Sequence, residues 1–245
     1  LKQFIRGKPV RFGYKFWALC GTSGYCYNFD LYCGKDQGCE ENIGLGRRVV
    51  QSLLFVVDDP LSYELYFDNF FTSIKLLEEL FDLGFRASGT IRENRTQKCP
   101  LLDKKEMNKL GRGGYDYTSD LDSGIMLTRW NDNNIVTVAT NFNSVEPLAN
   151  FTRYSKEEKK KVPFPVPKSI KNYSSFMGGV DLHDWLASKY CIKIKGKKWY
   201  WILFTRIIDM TLVNAWIIHK LTSDNPVPLL DFRRAIAVPY LKASN

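Results

Sequence analysis

Two aspartates, Asp181 and Asp184, come three residues apart and directly after a pair of glycines in the stretch FMGGVDLHDW. Residues at i and i+3 are neighbours on a helix surface, and an acid in the first turn is kept ionised by the positive end of the helix dipole. Two adjacent carboxylates suit a hard cation such as Mg²⁺, which takes oxygen ligands. An ordinary capped helix would use the same residues, so this stretch alone leaves both interpretations open. The helical spacing of the apolar residues also predicts one buried face, formed by Leu182, Trp185, Leu186 and Tyr190.

A third acid, Asp68, lies near the C-terminal end of a short apolar run, Tyr63–Phe71, which predicts a buried strand. An ionised carboxylate in such a place is costly to desolvate unless it is paired or binds a metal. A structural aspartate held by hydrogen bonds is the alternative, and the metal-binding interpretation is favoured. If the end of this strand lay beside the start of the Asp181 helix, the acids would form a site for one or two divalent cations.

The charge of the chain is unevenly distributed. The net charge is +9 and the pI is about 9.2, which suits an acidic polymer such as nucleic acid. Between Lys156 and Lys198 there are eleven lysines and four acids, so this segment carries +7 of the total. A lysine-rich face that simply stays in solvent is the alternative. A protein of the membrane surface would need a sustained basic amphipathic helix, which the sequence lacks.

The cysteines carry no specific metal motif. None of the six forms a CxxC pair or a Cys/His cluster, and His183, two residues after Asp181, is expected to point away from the face of the acids. The series at 20, 26, 33 and 39 could be a disulfide framework or a metal site, but buried free thiols in a reducing compartment are favoured. No signal peptide is visible, and the start at Leu1 suggests a piece of a longer protein.

The elements that must position the acids follow from the patterning of the chain, in which 44% hydrophobic residues allow a substantial core. A turn at Gly21–Gly24 joins two predicted strands, and Thr72 or Ser73 caps a helix that ends at Gly84. A polar, β-rich block from about residue 92 to residue 168 interrupts the pattern. Predicted strands are 9–19, Tyr25–Cys33, Tyr63–Phe71, Phe85–Ile91, Ile125–Trp130 and Ile135–Thr140, and predicted helices begin near Val49, Ile74, Asp181 and Trp199.

Strands followed by crossing helices imply a mixed sheet covered by helices. The alternating prolines Pro163, Pro165 and Pro167 indicate an extended connector. The segment Trp199–Leu221 is long and apolar enough to cross a bilayer, but it contains charged residues such as Arg206 and Asp209. It is therefore predicted to be a buried core helix.

Three sequence phrases, KPVRFGYKFW, YFDNFFTS and GGVDLHDW, followed by KKWYW and VNAWII, resemble the catalytic domain of piggyBac-type transposases. The resemblance runs in the same order from about Lys8 to Leu221. It implies an α/β (α+β) class, namely an RNase H-like mixed sheet with flanking helices, interrupted by a small β-rich insertion domain. The implied domains are a core in two parts, 1–94 and 168–221, an insertion at 95–167 and a C-terminal extension at 222–245.

The resemblance also implies a function. In such proteins three aspartates bind Mg²⁺ or Mn²⁺ in a two-metal site and cut and join DNA at TTAA targets through a hairpin intermediate. Asp68 matches the second of these aspartates, Asp181 the third, and Asp184 an accessory acid. Trp199 matches an aromatic that contacts DNA, although its periodicity alone would favour a core tryptophan. The partners implied are transposon-end and target DNA and, for the full-length protein, a second copy, all in the nucleus and with no membrane.

Four lysines next to Trp199 are expected to contact DNA phosphates without regard to sequence. They are Lys193, Lys195, Lys197 and Lys198. The family's first aspartate would lie upstream of this chain, and Asp30 is a poor substitute for it, so little or no strand cleavage is expected from this piece. The alternative function is a catalytically inactive derivative that keeps the fold and binds DNA or chromatin.

Overall fold

A computed structural model describes residues 2–4, 12–34, 44–155, 158–194 and 196–243. The chain divides into two compact units. One, here called the hairpin unit, consists of Leu1–Cys39 and Gly178–Asn245; the other, the sheet unit, consists of Glu40–Met177.

The sheet unit is built on a five-stranded mixed sheet. Its strands are β5 (Glu64–Phe67), β6 (Arg86–Thr90), β7 (Tyr115–Ser119), β8 (Met126–Asn131) and β9 (Ile135–Thr140). They lie in the order β5-β6-β9-β8-β7, in which β5 and β6 are parallel and the other neighbours are antiparallel. A separate antiparallel pair consists of β10 (Ala149–Ser155) and β11 (Lys160–Val166). Pro163 and Pro165 are extended as predicted, but they lie in the paired strand β11 and not in a connector, while Pro167 is the N-cap of the next helix. The predicted mixed sheet is confirmed.

Four helices accompany this sheet: α1 (Leu45–Leu53), α2 (Ile74–Asp82), α3 (Lys104–Lys109) and α4 (Lys168–Phe176). Helix α2 begins and ends as predicted, because the Ser73 side chain accepts a hydrogen bond from the N–H of Leu76 and Gly84 adopts a φ of 84°. Leu76 and Leu77 are fully buried. Helix α4 has no counterpart among the predicted elements.

The described residues of the hairpin unit form four strands and three helices. They are β1 (Gln3–Phe4), β2 (Phe12–Gly13), β3 (Phe16–Cys20), β4 (Cys26–Leu31), α5 (Gly179–Lys189), α6 (Trp201–Thr222) and α7 (Leu229–Ala243). Strands β3 and β4 form the predicted antiparallel hairpin. The hydrophobic core of the hairpin unit is formed by α5, α6 and α7, which contribute Leu186, Val213, Ile217 and Leu229. The single strand predicted for 9–19 is wrong, because β2 and β3 are separated at Tyr14 and Lys15; residues 9–11 lie outside the described part.

Helix α6 is not the fully buried helix that its composition predicts. Only 28% of its most apolar window is buried, because α6 packs with one face, including Met210 and Val213, and leaves Ile202, Phe204 and Leu221 exposed. By length and composition this helix could also cross a membrane. A single helix of this kind is weak evidence for a membrane.

The sequence-based domain boundaries differ from the division into units. Strands β7, β8 and β9 come from the predicted insertion at 95–167, yet they hydrogen-bond into the same sheet as β5 and β6. The compact units change over near residues 40 and 178 instead. The division into a two-part core, an insertion and an extension stays a prediction.

Candidate functional site

Asp68 lies in the sheet unit, directly after β5. The prediction of a buried strand is wrong here: β5 is at the edge of the sheet, three of its four residues are not buried, and Asp68 is exposed. One carboxylate oxygen accepts the N–H of Phe70 at 2.8 Å, while the Asp68 carbonyl accepts the Thr72 hydroxyl at 2.8 Å. Among the described residues no cation pairs with this carboxylate. Its backbone is thus fixed while its charge stays available in solvent.

Arg95 supports the loop that carries Asp68. Its guanidinium donates hydrogen bonds at 3.0 Å to the carbonyls of Asn69, Phe70 and Thr72. Arg92 adds a hydrogen bond at 2.9 Å to the side chain of Asn69. Three carbonyls converging on one guanidinium leave the loop little freedom. The sequence gives no signal of this support, since these arginines lie more than twenty residues away from the loop.

Tyr173 of α4 lies close enough to Asp68 to feel its charge. Burial is the main reason why the pKa of Tyr173 is raised, and the negative charge of Asp68 adds to it, while a hydrogen bond with Thr90 works in the opposite direction. The two hydroxyl oxygens of Tyr173 and Thr90 are 3.3 Å apart. Tyr173 therefore stays a neutral hydroxyl beside the Asp68 loop, and sequence reasoning missed it because α4 was not predicted.

Asp181 and Asp184 lie on α5 in the hairpin unit, and their environments differ. Asp181, in the first turn, is exposed, and within the described part of the chain its carboxylate has no cation partner and accepts no hydrogen bond. Asp184 forms an ion pair with Arg206 of α6. The guanidinium of Arg206 also donates a hydrogen bond at 3.3 Å to the hydroxyl of Ser188. Asp181 is thus an available oxygen ligand, whereas Asp184 would have to give up Arg206 to bind a metal.

His183 belongs to the core and not to the acidic surface. One ring nitrogen, Nδ1, lies 2.8 Å from the carbonyl of Gly24, so Nδ1 carries the proton that is donated to that oxygen. Nε2 is buried and has no hydrogen-bond partner among the residues that the structure describes. Burial is the main reason why the pKa of His183 is lowered. The ring is therefore neutral at pH 7.

The buried face of α5 is rotated from the predicted one. It consists of Gly179, His183, Leu186 and Ala187, which follow the spacing i, i+4, i+7 and i+8 of a helix stripe. Trp185, assigned to that face from the sequence, is 57% exposed. The prediction is wrong for Trp185. The buried face includes Gly179 and His183, and a pattern based on hydrophobicity does not assign glycine or histidine to a buried face.

The two glycines before the acids have different roles. A Cβ on Gly179 would lie 2.4 Å from the carbonyl oxygen of Gly21 and 3.0 Å from its carbon, so the start of α5 packs directly on the hairpin turn. A Cβ on Gly178 would meet no atom within 4 Å. Only Gly179 therefore permits this close backbone contact.

Replacing Gly179 by alanine is expected to lower the free energy of unfolding by about 1–3 kcal/mol, the usual range for overpacking a fixed backbone contact. Gly178→Ala, measured beside it by urea denaturation, should change that free energy by less than about 0.5 kcal/mol. Equal losses in the two variants would mean that the contact with Gly21 is not the constraint.

The basic segment before α6 is exposed. Lys193, Lys197 and Lys198 all face solvent, and Lys195 lies outside the described residues. Trp199 is 59% exposed, so the alternative of a core tryptophan is wrong. Its carbonyl accepts a hydrogen bond at 3.3 Å from the hydroxyl of Tyr14, and its ring is 5.9 Å from that of Tyr200. An exposed aromatic pair next to lysines can stack on bases while the lysines hold phosphates.

The donor set suits a hard cation only in part. In the described ranges no group of three or more His, Cys, Asp or Glu side chains is arranged to hold a metal ion. Asp68 and Asp181 each offer an exposed carboxylate with no cation partner in the described part of the chain, and carboxylate oxygens are the ligands that Mg²⁺ prefers. The two belong to different units, and their meeting at one metal ion stays a prediction.

The whole chain is similar to known proteins. The sequence model of a family described as Transposase IS4 matches residues 1–216. The chain is 41% identical over 244 residues to human piggyBac transposable element-derived protein 3, covering 98% of this chain and 41% of that protein. It is 38% identical over 253 residues to human piggyBac transposable element-derived protein 2, covering 99% and 42%. The chain thus spans about two fifths of the length of these relatives.

A solved structure shows the same fold. The cryo-EM structure of a piggyBac transposase synaptic complex with hairpin DNA matches with a TM-score of 0.75 at 20% identity, over 96% of this chain and 47% of that one. The likeness covers both units. The α/β, RNase H-like fold expected from the resemblance is confirmed.

Proposed function

Because this chain belongs to the piggyBac-type transposases of the Transposase IS4 family, we propose that it takes part in metal-dependent cleavage and transfer of DNA strands at TTAA targets in the nucleus. The single observation that carries the proposal is the state of Asp68 and Asp181. Both lie within the sequence phrases that resemble that family, YFDNFFTS and GGVDLHDW. Both are exposed carboxylates that no cation neutralises in the described part of the chain. An exposed carboxylate without a cation partner keeps the negative charge and the free oxygens that a divalent cation needs.

Asp68 and Asp181 would hold Mg²⁺ or Mn²⁺, with a two-metal arrangement in the complete domain. Bound there, divalent ions would stabilise the charge on the attacking and leaving oxygens of a phosphodiester. The chain itself fixes the backbone of Asp68 through Arg95 and holds Asp181 in the first turn of α5. Asp184, paired with Arg206, would orient the helix surface next to Asp181 and bind metal only if that pair opened.

DNA would be held by the basic segment before α6. The exposed side chains of Lys193, Lys197 and Lys198 suit phosphates, and Trp199 suits stacking on a base. Lys195 is proposed to act with them. The solved relative is a complex with hairpin DNA, which supports a DNA partner, and a second copy of the full-length protein completes the proposed assembly.

Calorimetric titration of the chain with Mg²⁺ and with Mn²⁺ tests the metal site. We expect Asp68→Asn and Asp181→Asn each to weaken binding at least about tenfold, equivalent to about 1.4 kcal/mol, because each substitution removes an anionic oxygen ligand. Asp82→Asn is the matched control: Asp82 is an exposed acid at the end of α2, and its replacement should leave binding unchanged.

The Asp184–Arg206 ion pair favours the second candidate function, an inactive derivative that binds DNA or chromatin, because it neutralises one of the expected acids. Absence of divalent-ion binding in the unsubstituted chain, with DNA binding intact in a fluorescence-anisotropy assay, would decide for that derivative. Equal weakening by Asp82→Asn would instead mean non-specific ion condensation on surface acids.

A further inference from the structure

Two cysteines face each other across the β3–β4 hairpin. Cys20, the last residue of β3, is the cross-strand partner of Cys26, the first residue of β4. Both are free thiols, Cys26 buried and Cys20 half-buried. The prediction of buried free thiols is confirmed for Cys26, whereas Cys20 is only half-buried and Cys33 is exposed. Cys39 lies outside the described residues.

The geometry of the pair suits a disulfide. The register of the hairpin shifts between Leu19 and Cys20, and beyond this shift Cys20 is paired with Cys26. Paired residues of antiparallel strands have Cα atoms about 4.5 or 5.5 Å apart, and disulfides span about 4.4–6.8 Å between Cα atoms. A hydrogen bond between the two thiols is the main cause that raises the pKa of Cys20 and lowers the pKa of Cys26. The Cys26 thiol also donates to the carbonyl of Asn28 at 3.4 Å. Formation of an S–S bond would therefore need side-chain rotation and little movement of the backbone.

The backbone on both sides of the pair is held in place. Asn214 of α6 accepts the N–H of Cys26 at 2.9 Å and donates to its carbonyl at 2.8 Å. On the other strand, the backbone of Cys20 packs against the start of α5. A Cβ atom added to Gly179 would lie only 3.1 Å from the carbonyl oxygen of Cys20. The turn enclosed by the two cysteines also supports α5, because its Gly24 carbonyl receives the hydrogen bond from His183.

We propose that Cys20 and Cys26 are a redox modification site, in which a peroxide converts the dithiol into a reversible intramolecular disulfide. This inference goes beyond the proposed function and does not depend on it. The disulfide would lock the turn on which the first turn of α5 rests, and with it the backbone next to Asp181.

The reaction balances with one peroxide for each dithiol. One thiolate attacks a peroxide oxygen, which forms a sulfenic acid and releases water or an alcohol. The second thiolate attacks the sulfenic sulfur and expels hydroxide, which takes up a proton to give water. The two sulfurs are oxidised by two electrons in total, and the peroxide O–O bond is broken and reduced. Added dithiol reductants reverse the bond by exchange.

Peptide mass spectrometry under non-reducing conditions tests the proposal. The reduced chain is treated with hydrogen peroxide, its remaining thiols are blocked with iodoacetamide, and it is digested with trypsin, which releases a peptide of residues 16–35 containing Cys20, Cys26 and Cys33. We expect this peptide to lose two hydrogens and to carry one alkyl group, on Cys33. Dithiothreitol added before alkylation should restore three alkyl groups.

Three variants assign the bond. In Cys33→Ser the peptide should still lose two hydrogens and should carry no alkyl group. In Cys20→Ser and in Cys26→Ser the peptide should no longer lose the two hydrogens. Cys20 is only half-buried, so Cys20→Ser keeps the test valid even if Cys26→Ser disturbs folding. Persistence of the loss in Cys20→Ser, or its disappearance in Cys33→Ser, would overturn the assignment, as would full alkylation of all three cysteines after peroxide treatment.

Discussion

Replacing Asp209 by alanine is expected to lower the free energy of unfolding by about 3–5 kcal/mol, the range for breaking a buried ion pair from one side. The Asp209 side chain is 3% exposed and lies 2.5 Å from the guanidinium of Arg233 on α7. Its second oxygen accepts the N–H of Ile192 at 3.0 Å. Alanine at 209 would leave a largely buried cation and a backbone donor without their acceptor.

The pair joins three parts of the hairpin unit through one carboxylate. Asp209 is on α6, Arg233 is on α7, and Ile192 belongs to the segment after α5. Arg233 is 12% exposed, and its Nη1 already lacks a hydrogen-bond partner among the described residues. The remaining charge therefore has little access to water once Asp209 is removed.

Asp231→Ala is the matched control for this prediction. Asp231 and Arg234 also lie on α7, 3.5 Å apart, but they are 55% and 67% exposed. Removal of an exposed partner should cost no more than about 0.5 kcal/mol. Urea denaturation of both variants compares the two, and similar losses would mean that burial does not set the strength of the Asp209 pair. The double variant Asp209→Leu/Arg233→Met should recover much of the loss, because no unpaired charge remains.

Local features of the fold could be read from the sequence. The cap at Ser73, the stop at Gly84 and the turn at Gly21–Gly24 depend on residues within a few positions of each other, and the structure has all three. A hairpin or a helix cap is decided by short-range hydrogen bonds and backbone preferences, which residue types express directly.

Features that depend on distant partners could not be read in the same way. The composition of α6 indicates burial, yet which of its faces is covered depends on α5 and α7. Asp209 was visible only as a charge in an apolar helix, because its partner Arg233 lies 24 residues further along. The order of strands that puts β5 at the edge of the sheet is likewise a matter of non-local pairing.

The candidate site shows the same limit. The residue types and their spacing picked out Asp68, Asp181 and Asp184 as acids that could hold a metal. They did not distinguish Asp181, which has no cation partner among the described residues, from Asp184, which is paired with Arg206. That difference arises from a helix–helix contact, and a helical pattern in one segment contains no information about it.

Substitution of Glu93 is also expected to lower the free energy of unfolding strongly, because Glu93 is an exposed acid whose partner is buried. The Glu93 side chain is 62% exposed, and both of its oxygens accept hydrogen bonds from Arg129, at 2.8 and 2.7 Å. Arg129 lies in β8, an interior strand of the five-stranded sheet, and is 1% exposed. Its other acceptors are the carbonyl of Leu102 at 2.5 Å and the hydroxyl of Thr137 at 3.1 Å.

Glu93→Ala is therefore expected to lower the free energy of unfolding by about 3 kcal/mol, although a surface substitution usually changes it by less than about 0.5 kcal/mol. The cost arises at Arg129, whose charge stays buried and loses its bidentate carboxylate, while two neutral oxygens remain to solvate it. The measurement is urea denaturation of the chain beside Glu64→Ala. Glu64 is paired with Arg86 at 3.3 Å and accepts the hydroxyl of Tyr66 at 2.7 Å. Because both charged side chains are substantially exposed and water can replace the lost partner, this substitution should cost no more than about 1 kcal/mol. If Glu93→Ala and Glu64→Ala lowered the free energy of unfolding by the same amount, the exposure of the substituted acid, and not the burial of its partner, would govern the strength of these ion pairs.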